Sequence, residues 1–244
     1  MTLTPAAREW LQWVRLTSHP LRRLDGKGNP NGFGSATLID HKGRRFALTA
    51  HHLIPVNAIG WFLEVRYCAS KGTETYTPRH WQSVAEYRRT SNNVVHIDLS
   101  FAEIAVDVNT TYQERTPWVS GEEHDRHIFR SFDIAEPSKD GIFAFAGETK
   151  PELHAPGSIA MQMNVFPGLR YAGTTDEIHT FNLPVAHPGH AEFRGCSGAP
   201  ILDTNHRVVA LLVCGDEVAN TVKGVSMSRL LPALDLYCTA TRDA

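Results

Sequence analysis

Cysteine is scarce. Cys68, Cys196, Cys214 and Cys238 are the only four in 244 residues, too few and too scattered for a secreted disulfide framework. They read as free thiols of a reducing compartment, which points to the cytoplasm. There is no run of about 18 apolar residues from which a membrane span could be built. The longest candidate, 208–214, has seven residues between Arg207 and Gly215. Near the N-terminus Gln12 and Arg15 interrupt the apolar residues, so no continuous signal-peptide core forms. Neither sign of charge dominates. A formal net charge of -2 gives no electrostatic footprint for nucleic acid or an anionic membrane. Internal repeats and low-complexity tracts are missing as well. What remains is 42% hydrophobic and 20% charged, an ordinary globular composition. The length suits one large all-β domain or two small ones sharing a core.

The chain opens with a helix signal: Thr4 as N-cap, Pro5 at the first helical position, and Ala6, Ala7, Trp10, Leu11, Trp13 and Val14 along one face. The pattern predicts a helix that ends near Ser18-His19-Pro20 and packs on the body of the domain, a partner-binding helix being the alternative. Residues 25–32 are a loop by composition. From Phe33 the pattern changes to short strands with frequent turn signals and no strand–helix alternation, which supports an all-β barrel architecture. The stretch 110–140, polar and charged, reads as a crossing between two units, with 141–147 opening the second. Leu230, Leu231, Leu234 and Leu236 suggest a terminal helix, with Pro232 tolerable only in its first turn.

The chemistry gathers at Phe193-Arg194-Gly195-Cys196-Ser197-Gly198-Ala199-Pro200. Glycines on either side of a small hydroxyl let the backbone close around a reacting carbonyl. The N–H groups of Gly195 and Ser197 can then converge as an oxyanion hole. Upstream stand Leu48-Thr49-Ala50-His51-His52-Leu53-Ile54 and Ile97-Asp98-Leu99-Ser100-Phe101-Ala102-Glu103-Ile104. These three blocks resemble the nucleophile, histidine and aspartate blocks of trypsin-like serine peptidases, over roughly residues 33–226. The order His52, Asp98, Ser197, at spacings of 46 and 99 positions, is that of chymotrypsin and not of subtilisin.

The resemblance implies two six-stranded antiparallel β-barrels flanked by terminal helices. Residues 1–20 would form the helix, 21–120 the first barrel, 121–227 the second, and 228–244 the closing helix and tail. It implies a serine endopeptidase of an intracellular, bacterial type, without signal peptide or zymogen N-terminus. Ser197 would be the nucleophile, His52 the general base and Asp98 its orienter, with a protein or peptide substrate and no cofactor or metal. His51 takes the variable place. Leu53 stands where secreted members usually carry cysteine. Cys196 sits one place too early to be the nucleophile of the viral-type cysteine variant. It also stands where secreted trypsins hold the aspartate that pairs with a new N-terminus, so that activation switch is excluded. Restraint then falls to specificity or to an activating protein partner.

By the same resemblance, the residue six before the nucleophile, Ala191, would floor the first specificity pocket. Glu192 follows it, and Gly215 and Gly224 would line the walls. An Ala191 floor favours apolar side chains, whereas a one-residue shift bringing in Glu192 favours Lys or Arg. Thirteen histidines raise a metal hypothesis. The densest cluster, His124-Asp125-Arg126-His127 after Glu122 and Glu123, reads instead as a solvated charged segment. The competing functional class is a catalytically silent trypsin-like barrel that binds protein, held in a complex through Trp10 and Trp13. An esterase would share the triad.

Overall fold

A computed structural model describes residues 4–27, 29–54, 60–68, 70–88, 92–115, 120–153 and 159–241. Gly28 of the expected loop, 116–119 of the expected crossing, and both chain ends lie outside the described residues. No described helix is long and apolar enough to cross a membrane.

Helix α1 (Pro5–Arg15) starts as its sequence dictates, with Thr4 Oγ1 accepting the N–H of Ala7 at 3.2 Å. It stops at Arg15, short of the expected end. Leu16 N–H turns back to Trp13 O at 2.9 Å, and Pro20 biases His19 toward extended backbone. Strand β1 (His19–Leu24) begins there. The aromatic face of α1 is spent on the body of the protein. Trp10 Nε1 donates to Asp203 O at 3.1 Å, and Trp13 stacks on His206 with ring centroids 4.2 Å apart.

The first half contains β1, β2 (Pro30–His41), β3 (Arg44–Thr49), β4 (Trp61–Cys68), β5 (Gly72–Tyr76), β6 (Gln82–Arg88) and β7 (Asn93–Ile104). Their order across the sheet is β5-β4-β1-β2-β3-β7-β6. Residues 110–140 carry a small antiparallel pair, β8 (Thr111–Arg115) with β9 (Ser120–Asp125), and then β10 (Phe129–Arg130), which joins the first sheet parallel to β2. The second half is a closed six-stranded barrel of β11 (Phe143–Leu153), β12 (Ile159–Thr175), β13 (Ile178–Asn182), β14 (Pro200–Asp203), β15 (Val208–Asp216) and β16 (Thr221–Ser226). The one-turn helix α2 (His190–Phe193) precedes β14, and α3 (Leu230–Ala240) ends the described chain with Pro232 in its first turn.

Each half has its own core, Leu21, Leu38, Leu63 and Ile104 in the first, Phe143, Phe145, Phe181 and Ile201 in the second. A third cluster bridges them, joining Phe46, Leu48, Leu99 and Phe101 to Ala144, Leu202, Leu211 and Val225, with Leu230 and Leu234 of α3 as a lid. This shared apolar seam fixes one half against the other, since burial of that surface is lost if they part. The segment 124–127 differs from its expected reading as a solvated stretch. Arg126 is buried and paired with Glu148 of β11 at 3.1 Å, and the His127 ring lies 5.0 Å from Trp13 and 4.8 Å from Phe129. A guanidinium tolerates such burial only when its charge is met, and Glu148 meets it.

Candidate active site

Register places the first two residues. In the β3–β7 pair Thr49 lies opposite Ser100, so the chain leaving β3 passes Asp98. A 3₁₀ turn, His51–Leu53, follows Ala50 and swings His52 onto the aspartate. Asp98 Oδ2 lies 2.9 Å from His52 Nδ1, and Oδ1 accepts the His52 backbone N–H, also at 2.9 Å. An ionised carboxylate only accepts, so His52 carries a proton on Nδ1 and leaves Nε2 free. Burial opposes the charge on Asp98. The bonds and charge of His52, with a smaller contribution from His51, outweigh it and hold the carboxyl below the usual carboxylate range. His51 is engaged elsewhere: its Nδ1 sits 2.9 Å from Ser100 Oγ and 3.2 Å from Ser83 Oγ, with its ring stacked on His96.

The loop 194–199 sits in the seam. Gly195 (φ +101°) and Gly198 (φ +89°) occupy left-handed backbone that favours glycine. A Cβ on Gly195 would run into the carbonyl oxygen of Glu148, and one on Gly198 into that of Ser35. Strand β2 holds the loop by three hydrogen bonds. Ser35 N–H donates to Ser197 O at 2.8 Å, Ser35 Oγ to Gly195 O at 2.8 Å, and Thr37 Oγ1 to Gly198 O at 3.1 Å. Among the described residues the N–H groups of Gly195 and Ser197 have no acceptor, as an oxyanion hole requires. Gly34 marks where the parts meet: a Cβ there would strike Leu53, the neighbour of His52, and lie 3.5 Å from Ser197 O. Ser197 Oγ donates to Val213 O at 3.3 Å, and no hydrogen bond joins it to His52 among the described residues. Cys196 is fully buried, which pushes its thiol pKa up, whereas Ser197 is partly exposed.

The expected specificity residues scatter. Ala191 is exposed on α2, and Glu192 pairs with Lys150 at 3.0 Å. Gly224 faces Ala210 and Ile201 inside the barrel. Gly215 is covered by His187 and Phe193. Sequence reasoning passed over Ser35, Thr37 and Thr49, whose hydroxyl donates to Ser35 O at 2.7 Å. In sequence they look like ordinary strand hydroxyls, since their partners Gly195 and Gly198 lie some 160 residues away. A cleft of about 670 Å³, lined by Arg22, Arg126, Tyr112, Glu148 and Met161, contains neither His52 nor Ser197.

No family model and no curated protein sequence matches the chain. Solved structures do match. The serine endoprotease from Yersinia pestis aligns with a TM-score of 0.55 at 10% identity, over 96% of this chain and 67% of that one. Human heparin binding protein aligns at 0.54 and 11% identity, over 96% and 93%. Catalytically active tobacco etch virus protease, complexed with product, aligns at 0.52 and 12%, over 92% and 80%. At such identities the likeness establishes the fold, which is chymotrypsin-like.

Proposed function

We propose that the protein is a serine endopeptidase, cleaving peptide bonds through His52, Asp98 and Ser197 by way of an acyl-enzyme. One observation supports the reading: Asp98 clamps both the ring and the backbone N–H of His52, which leaves Nε2 free to take a proton. Ser197 Oγ attacks the carbonyl as Nε2 takes its proton. Asp98 stabilises the imidazolium, and the N–H groups of Gly195 and Ser197 receive the oxyanion. The proton then passes from Nε2 to the leaving amine, and water repeats the cycle on the ester. Before attack Ser197 Oγ leaves Val213 O by rotation about one bond.

The packing of Cys196 against Gly147 supports a loop ordered without an ion pair. The four unpaired thiols support a reducing compartment and thus the intracellular type. A second reading, the silent barrel, is favoured by one feature, the bond from Ser197 Oγ to Val213 O. Labelling with a fluorophosphonate separates them. The native chain and Cys196→Ala should label at Ser197, whereas Ser197→Ala and His52→Ala should not. An unlabelled but folded native chain would overturn the peptidase reading in favour of the silent barrel.

A further inference from the structure

The cleft of about 670 Å³ that contains neither His52 nor Ser197 is walled by strand edges. Three stretches of consecutive residues line it: 64–67 of β4, 111–114 of β8 and 161–164 of β12. Side chains of a strand alternate between its two faces, so a wall made of four residues in succession presents the edge. The pairing agrees. β1 meets β4 only at 61–63, and beyond that β4 has β5 alone. β8 pairs only with β9, and β12 has β11 alone until Arg170, where β13 joins. No backbone hydrogen bond joins one of these edges to another among the described residues. A strand with one neighbour turns every second N–H and C=O outward. Of these groups Thr111 O is already taken, by Arg126 Nε at 3.1 Å.

The cleft also carries a surplus of positive charge. Arg15, Arg22, Arg66 and Arg126 line it against Glu64, Glu114 and Glu148. Burial holds Arg126 below the ordinary arginine range although Glu148 and Glu64 work the other way, so the resident carboxylates fall short of its charge. At the rim Arg66 is exposed and makes no ion pair among the described residues. Arg15 reaches Glu114 only at 3.8 Å, with both side chains well exposed, a pair that holds little energy. We propose that this cleft docks an extended acidic segment of a partner protein, which adds a β-strand to an open edge while one of its carboxylates meets Arg66 and Arg15.

The chemistry selects this occupant. An extended backbone offers N–H and C=O groups at the spacing a strand edge requires, and alternate side chains can rest on the apolar residues of the lining, Phe62, Val65, Met161 and Met163. A small anion has no backbone to offer the edges. A basic segment meets like charge at the rim, which costs affinity and slows encounter. The occupant has no need to reach the buried guanidinium groups, because the rim cations are open to solvent. Since neither His52 nor Ser197 takes part, the proposal stands or falls apart from the peptidase reading.

The test uses the full chain as Ser197→Ala, which cannot form an acyl-enzyme, and a positional library of acetyl-hexapeptide amides. Selection should enrich Glu and Asp; no enrichment, or enrichment of Lys and Arg, would overturn the proposal. The best binder is then resynthesised with its backbone nitrogens methylated at alternate residues, in both phases. At least one phase should lose about tenfold in affinity, and indifference to both would refute strand addition. Arg66→Glu, at an exposed position that circular dichroism can show to be folded, should weaken the acidic peptide about fivefold and strengthen its Lys-for-Glu version. Unchanged affinities for both would count against the rim cations and sink the proposal. Hydrogen exchange locates the peptide. Slowed exchange in 64–67, 111–114 or 161–164 supports the cleft, whereas protection confined to 213–216 or to any other surface overturns it. None of these outcomes needs an active Ser197, so failure of the peptidase reading leaves the test intact.

Discussion

Acid should destabilise this protein well above the pH at which its carboxylates titrate, and His19 should be the main cause. The ring is fully buried, with Nδ1 2.6 Å from Thr110 Oγ1 and Nε2 3.0 Å from His127 O. A carbonyl only accepts, so Nε2 bears the proton and Nδ1 takes the threonine hydroxyl. Burial, and then the positive charges of Arg126, His127 and Arg45, lower its pKa from 6.5 to about 3, although the bond to His127 O works the other way. The unfolded chain takes up a proton that the folded chain refuses. The contribution is therefore complete above pH 6.5 and is lost as pH falls toward 3. At about 1.4 kcal/mol per pH unit, roughly 2 kcal/mol goes by pH 5 and about 4 by pH 3. His127 and His179, also lowered by burial, add in the same direction, whereas Asp25, Asp98, Asp216 and Asp235, held below the usual range, matter only in stronger acid. Urea unfolding of the native chain and His19→Asn at pH 7, 6 and 5 isolates the term. The variant should start less stable but lose about 2 kcal/mol less over that interval. Parallel losses, or a His19 ring signal titrating near pH 6.5 in the folded protein, would refute the assignment.

Asp98→Asn should lower kcat about 10⁴-fold and His52→Ala on the order of 10⁶-fold with the fold retained, while His51→Ala stays mild; steady-state kinetics with circular dichroism checks this. Alkylation followed by mass spectrometry should modify Cys68 first, because bonds from Ser70 lower its thiol pKa. Cys214, exposed but raised by burial of its sulfur, should follow, and Cys196 only on unfolding. Gly198→Ala forces a Cβ at φ +89° toward Ser35 O. It should cost about 3 kcal/mol and lower Tm by roughly 10 °C in a thermal melt.

What was legible in the sequence was what chemistry constrains. A nucleophile loop needs glycine at two left-handed positions, and a histidine turn needs its aspartate one strand away. Residue type alone therefore pointed to Gly195, Gly198, His52 and Asp98 as candidates, and the fold sets His52 against Asp98 and both glycines at left-handed φ. The first strand was not legible. His19-Pro20-Leu21-Arg22-Arg23-Leu24 reads as polar, yet Arg22 is buried because Glu64 lies 3.2 Å from its Nε and Glu148 takes its Nη2. Those partners stand 42 and 126 residues away in the chain, beyond any local window. The local shape before the nucleophile was not legible either. Counting back six from Ser197 assumes a loop of fixed length, but α2 coils one turn at Ala191 and Glu192 and His187 lies beside Gly215.

The candidate site is a property of the seam more than of either half. His52 and Asp98 come from the first half and Ser197 from the second, so the proposed catalysis demands that the halves keep their offset to a fraction of an ångström. Apolar contact alone is a poor ruler, because it is roughly proportional to area and indifferent to small slips. Directional bonds supply the register. Ser35 and Thr37 of β2 fix the carbonyls of Gly195, Ser197 and Gly198. Behind them Arg22 and Arg126 both take Glu148, whose own carbonyl backs Gly195. Replacing a buried ion trio by apolar side chains can leave stability unchanged or improved. Here it would also free the strand behind the oxyanion turn to shift. Stability and catalytic geometry are thus held by different interactions in the same seam, and a change that spares the first can still abolish the second.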